Sequence, residues 1–228
     1  MPRGRSKQRS GRSGRTEDLF DIELDPLSFE RSARASGFLR IAGLDEAGRG
    51  PLAGPVVAAA VVLPPDLLIH GVTDSKQLTE AYRERLYDTI TRDAVAYGIG
   101  IADERTIDEV NILQATIIAM ERALAAIVPP PDYLLLDALT LPRIKILQKA
   151  IIKGDYRSHS IAAASILAKV TRDRHMCSLH EQYPQYNFHL HKGYGSREHM
   201  ELLRKHGPCP AHRRSFRPVA EAEQERRT

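Results

Sequence analysis

The apolar positions of this 228-residue chain fall into two kinds of pattern. Short continuous runs read as buried strands, and stripes at 3.6-residue spacing read as helices. Residues 38–44 (FLRIAGL) form the first short run. Residues 56–63 (VVAAAVVL) form a second, stopped by Pro64 and Pro65. Their close spacing suits an antiparallel hairpin. Thr79 can cap a helix running to about Arg92. Residues 95–102 predict a third strand. From 106 to 127, Ile107, Val110, Leu113, Ile117, Met120 and Leu124 recur at helical spacing, and three prolines then end the pattern. Residues 133–136 and 144–152 predict two more strands. A long helix over 160–183 closes at Pro184, and a last one over 196–206 closes at Gly207 and Pro208. An early hairpin followed by strand–helix units predicts an α/β fold, a mixed sheet with helices on its faces.

Charge changes the picture at one end. The formal net charge is +4, which by itself suggests a nucleic-acid partner. Residues 1–16 hold Arg3, Arg5, Lys7, Arg9, Arg12 and Arg15 and no acid, so the remainder carries a slight acidic excess. Such a segment has too little apolar surface to offset its ordering entropy. We therefore expect a disordered basic tail over 1–34, one folded domain over 35–220, and a frayed end over 221–228. Two cysteines, Cys177 and Cys209, make no disulfide framework. No apolar run is long enough to span a membrane, and no apolar stretch follows the N-terminal arginines. These features predict a cytoplasmic chain, and nothing demands more than a monomer.

The candidate chemistry lies in acids set against apolar runs. Asp45 and Glu46 follow Ile41-Ala42-Gly43-Leu44, and Asp137 follows Tyr133-Leu134-Leu135-Leu136. Both sites sit at the C-terminal ends of predicted strands, where ligands gather in open α/β sheets. On a helical wheel Asp173 continues the inward stripe of the long helix. Asp173 also lies between Arg172 and Arg174, which leaves a surface salt bridge as its alternative. Clustered carboxylates repel, and hard divalent cations, Mg²⁺ or Mn²⁺, relieve that repulsion. Two such ions suit in-line phosphoryl displacement. One difficulty stands: neighbours in a strand face opposite ways, so Asp45 and Glu46 share a site only if the strand ends or bulges there. Gly48-Arg49-Gly50 follows them and permits close backbone approach to a ligand. Cys177-x-x-His180 and His189-x-His191 carry only a weak zinc signal, with no second C-x-x-C half.

The run from Asp45 through Gly48-Arg49-Gly50-Pro51 to Gly54-Pro55-Val56 resembles the signature of the ribonuclease HII family. The resemblance extends from about Ile41 to Val219. It takes in Asp74-Ser75-Lys76, Lys153-Gly154-Asp155, residues 160–173, Tyr194-Gly195 and His212-Arg213-Arg214-Ser215-Phe216. It implies a ribonuclease H-like mixed sheet with flanking helices and a small helical C-terminal part. It also implies divalent-metal cleavage of the RNA strand in RNA–DNA hybrids and beside single ribonucleotides in duplex DNA, in support of replication and repair. Asp45, Glu46, Asp137 and Asp173 would hold the metals. Gly48, Arg49 and Gly50 would read the ribose 2′-hydroxyl, and Tyr194 would stack on the next deoxyribose. Ser75, Lys76 and Lys153 would lie near the bound backbone. Ala138, Gln77 and Ser196 depart from the family pattern and bear on substrate preference. A related nuclease acting on DNA or structured RNA, or a non-catalytic hybrid-binding protein, would use the same acids.

Overall fold

A computed structural model describes residues 25–73, 75 and 78–226. The basic segment 1–16 and Lys76 lie outside the described residues.

Five strands form one sheet: β1 (Ile41–Ala47), β2 (Val56–Val62), β3 (Ala96–Ala102), β4 (Tyr133–Asp137) and β5 (Leu147–Ile151). Their spatial order is β3-β2-β1-β4-β5. β1 pairs antiparallel with β2, and β2 with β3. β4 lies parallel to β1, and β5 parallel to β4. This is the mixed sheet expected, with the hairpin at one side and the parallel strands at the other.

Both faces are covered. On one, α3 (Glu104–Ala125) packs Ile107, Ala115, Ala119, Met120 and Ala123 onto Leu44, Val56, Ala58 and Leu134. On the other, α5 (His159–Gln182) and α2 (Glu80–Asp93) cover Ala59 and Val61 with Ala163, Ile166, Leu167, Leu86 and Ile90. α5 lies very close to β1. A Cβ added at Gly43 would fall 2.1 Å from the Ser160 carbonyl carbon, so only glycine admits this approach. Thr79 caps α2, accepting from the Tyr82 amide. The helix expected as one piece over 106–127 is interrupted at Asn111 (φ 70°), whose side chain accepts from the Leu113 and Gln114 amides and restarts the helix.

Two boundaries are corrected. Residues 28–34, expected in a disordered tail, belong to α1 (Ser28–Ala35). Ala33 packs against Ile41 and Ile161. Buried Glu30 accepts from the Ser160 amide and from the Ser158 and Ser160 hydroxyls at the start of α5. A carboxylate at a helix N-terminus is favoured by the exposed amides and the helix dipole. Residues 221–225, expected to fray, complete α8 (Arg217–Glu225), which buries Val219 and Ala222 against Leu52 and Leu203. Both helices are amphipathic but short, and polar composition hid them. Between them lie α4 (Gly154–Arg157), α6 (Phe188–His191) and α7 (Arg197–His206).

Candidate active site

The register of the sheet decides which acids meet. Leu44 on β1 pairs with Leu136 on the parallel strand β4, so the next residues, Asp45 and Asp137, stand side by side at the strand tips. Alternation along each strand puts both on the α5 face, opposite Leu44 and Leu136. β5 ends at Ile151, beside Asp137. Lys153 then takes a left-handed conformation (φ 56°) and turns the chain into α4. That turn lets the Gly154 amide donate to Asp137 Oδ1 at 2.7 Å and brings Asp155 over the same point. Carboxylate oxygens of Asp45, Asp137 and Asp155 all lie within 4.8 Å of one another. Asp45 also accepts from the Glu46 amide at 2.7 Å. Burial first, then the charges of Glu46, Asp137 and Asp155, push its carboxyl well above the usual range.

Glu46 does not require a break in the strand. β1 stays in register with β2 through Ala47, which corrects the expectation of an end or bulge between the two acids. Glu46 leaves from the other face and still borders the site, because the chain turns away at Gly48 (φ 97°) and Arg49 folds back to Glu46 Oε1 at 3.2 Å. Asp45, Glu46, Gly48, Arg49, Gly50, Ser75 and Tyr194 line one cleft of about 420 Å³.

Asp173 is not the fourth member. Its buried carboxylate takes Lys169 Nζ at 2.7 Å and Arg83 Nη2 at 3.8 Å. Asp173 is salt-bridged, but the bridge is buried and not at the surface, and its partners are not Arg172 or Arg174. The reason is distance along α5. Gly43 meets Ser160 near the start of the helix, and Gly48 meets Arg172 far along it, so α5 runs in the direction of β1. Ser165 lines the cleft with Asp45. Asp173, eight residues on, lies about 12 Å further along the helix axis. Asp155 takes its place beside Asp45 and Asp137. The rule that selected Asp45 and Asp137, an acid at or just past a strand's C-terminal end, also selects Asp155 behind the strand expected at 144–152. The wheel argument favoured Asp173 because it measured facing and not position along the helix.

The cleft holds cations that sequence reasoning did not single out. Arg83 and Lys169 line it. Arg83 also donates to the Ser75 and Leu78 carbonyls, and Ser75 Oγ is 2.7 Å from Ser165 Oγ. Burial lowers the Lys169 ammonium from its ordinary value in spite of Asp173. Tyr194 is half exposed, and the Arg172 guanidinium lies 5.9 Å from its ring centre. A Cβ added at Gly50 would stand 3.9 Å from Tyr194 Cε1, so this glycine faces the ring across the cleft. Lys153 is exposed at its turn and is not among the residues lining the cleft.

The chain is similar to known proteins over most of its length. The family model for Ribonuclease HII matches residues 42–219. Ribonuclease HII of Ruminiclostridium cellulolyticum is 58% identical over 206 residues, 89% of this chain and 81% of that protein. Ribonuclease HII of Syntrophotalea carbinolica is 52% identical over 205 residues, 90% of this chain and 98% of that one. Among solved structures, the ribonuclease H2 of Pyrococcus horikoshii OT3 superposes with a TM-score of 0.73 at 28% identity, covering 83% of this chain and all of that one. A Bst ribonuclease HIII in complex with Mn²⁺ shares the fold at a TM-score of 0.67 and 20% identity, over 85% of this chain and 72% of that one. A sheet that carries paired acids at its parallel tips, and a sequence matched along most of its length, lead to one conclusion: the chain belongs to the ribonuclease HII family.

Proposed function

We propose that this protein is a divalent-metal-dependent endonuclease that cuts the RNA strand of RNA–DNA hybrids and nicks duplex DNA on the 5′ side of a single ribonucleotide. The observation that carries the reading is the meeting of Asp137 and Asp155 with Asp45, which itself lines a cleft together with Glu46 and the Gly48–Arg49–Gly50 loop. The donors are all carboxylate oxygens, which suits Mg²⁺ or Mn²⁺ and not a soft metal. Asp45, Asp137 and Asp155 would hold the ions, with Glu46 at their edge. Bound there in a pair, such ions supply a water activated at neutral pH and charge for the leaving oxygen.

The rest of the cleft orients the nucleic acid. Gly50, without a Cβ, lets the loop backbone come close to a ribose, and Arg49 offers a guanidinium to phosphate. The 2′-hydroxyl is the group that separates RNA from DNA at one nucleotide. Tyr194 gives a flat face on which the neighbouring sugar rests. Ser75, Arg83 and Lys169 would meet the phosphate backbone on the α5 side, and the exposed Lys153 would add a cation beyond them. Products would carry a 3′-hydroxyl and a 5′-phosphate, and removal of ribonucleotides from DNA during replication and repair would be the role.

Among the described residues no helix is long and apolar enough to cross a membrane. The test is a duplex with one ribonucleotide, incubated with the protein and Mg²⁺ or Mn²⁺. Nicking 5′ of the ribonucleotide is expected, and an all-DNA duplex of the same sequence should stay whole. Cleavage of the all-DNA duplex, or no cleavage of either, would overturn the reading.

A further inference from the structure

Arg172 and Arg213 are the two largest fully buried side chains of the described residues, at 1% and 0% exposure. A buried guanidinium is costly, and an apolar side chain of similar volume would often leave the fold as stable or more so. Burial and the neighbouring Arg172 push Arg213 down to about 9. Among the described residues, every hydrogen bond of both side chains goes to a main-chain carbonyl. Arg213 donates to Gly48 O at 2.6 Å, Arg49 O at 3.0 Å and Gly54 O at 2.9 Å. Arg172 donates to Pro55 O, Ala53 O and Lys192 O at 3.0–3.1 Å. The two forks thus tie the glycine loop to the segment leading into Tyr194. The contacts are also close: a Cβ at Gly48 would fall 2.0 Å from Arg172 Nε.

The direction of the carbonyls has a consequence. In a trans peptide the C=O and the next N–H point opposite ways. Arg213 draws the carbonyls of Gly48 and Arg49 towards itself, so the amides of Arg49 and Gly50 point away from it. Both residues line the cleft. Two donors aimed there suit the oxygen of a ribose 2′-hydroxyl, and a deoxyribose has no acceptor to offer them.

We propose that Arg213 is a specificity-positioning residue: by holding the Gly48 and Arg49 carbonyls it aims the amides of Arg49 and Gly50 at the ribose 2′-hydroxyl. The inference rests on the reading that this loop senses the ribonucleotide. Lysine keeps the charge of arginine but cannot hold three carbonyls in one plane.

Arg213→Lys is compared with the native chain on a single-ribonucleotide duplex and on a continuous RNA–DNA hybrid. A displacement of about 1 Å in a positioning group costs up to about a hundredfold. Cleavage at the single ribonucleotide should fall at least about tenfold more than cleavage of the hybrid, whose many 2′-hydroxyls offer further contacts. The thermal shift on adding Mg²⁺, which reports the acid cluster, should be unchanged. An equal fall on both substrates would reduce Arg213 to a structural residue and overturn the proposal.

A second measurement needs no variant. Hydrogen exchange at the Arg49 and Gly50 amides of the native chain should slow on binding the single-ribonucleotide duplex in EDTA, and not on binding the all-DNA duplex. Equal protection by both would also overturn it. If the native chain does not nick the single-ribonucleotide duplex at all, the functional reading itself fails. If it nicks and Arg213→Lys keeps the native preference, only the role of Arg213 fails.

Discussion

Two isosteric substitutions, Asp155→Asn and Asp173→Asn, should move the stability of the metal-free protein in opposite directions. Asp155 stands with Asp45 and Asp137, with oxygens within 4.8 Å of one another. At that spacing and an effective dielectric of about 20, each ionised pair repels by about 3.5 kcal/mol. Asp155→Asn removes two of the three pairs. Part of the repulsion is already relieved, because the Asp45 carboxyl is pushed up towards its neutral form. A net gain of about 1–3 kcal/mol is expected, or a rise in Tm of about 2–12 °C at about 2–4 °C per kcal/mol for a chain of this size. Asp173 sits instead between two cations, with side-chain exposures of 5% for Asp173, 20% for Lys169 and 12% for Arg83. Removing one partner of a buried ion pair costs about 3–5 kcal/mol, because the other charges stay buried without it. Its Tm should fall by about 6–20 °C. The assay is a thermal melt near neutral pH in EDTA, repeated with excess Mg²⁺. Magnesium should stabilise the native chain by about 2.7 kcal/mol at a hundredfold excess over Kd. It should stabilise Asp173→Asn similarly and Asp155→Asn much less. A fall in Tm for Asp155→Asn with an unchanged magnesium shift would refute the assignment of Asp155 to the metal cluster.

Three further outcomes follow from the same structure. Tyr194→Ala should leave stability within about 1 kcal/mol of native, since the ring is half exposed, while weakening cleavage of the single-ribonucleotide duplex by about tenfold; unchanged cleavage kinetics would remove Tyr194 from the cleft's working surface. Buried His199 and His212, whose Nε2 atoms lie 3.1 Å apart, are lowered by burial to about 4 and about 3 from 6.5. Their stability contribution is therefore full above about pH 6.5 and is lost as pH falls towards 4, by about 4 kcal/mol together at pH 5. Urea midpoints at pH 7 and pH 5 check this, and a pH loss that is no smaller in His212→Gln would contradict it. Gly43→Ala should prevent folding or lower Tm by more than about 10 °C, because its Cβ meets the α5 backbone and no side chain can move aside; a melt close to that of the native chain would show that α5 can shift.

Much of this protein was determined by local pattern. The apolar runs of β1, β2 and β4 are self-announcing because a strand buried on both faces must be continuously apolar. Their C-terminal ends point to Asp45, Glu46 and Asp137, which the fold sets at one end of the two neighbouring strands β1 and β4. The glycine loop and Tyr194 were legible for a similar reason: residues that need an unusual backbone or an exposed ring stand out from their neighbours. The short helices α1 and α8 were not, since a few buried residues in a polar segment give no periodic signal until there is a surface for them to cover.

Only the tertiary structure decided between Asp155 and Asp173. Helical periodicity gives the direction in which a side chain faces, but it carries no information on which part of the sheet a helix crosses. That is fixed by the contact of Gly43 with Ser160, a pairing more than a hundred positions apart in the chain. The role of Arg172 and Arg213 is likewise invisible in one dimension. A lone arginine reads as a solvated charge, and it becomes a carbonyl clamp only when folding closes water off from it and brings the glycine loop within reach of its fork.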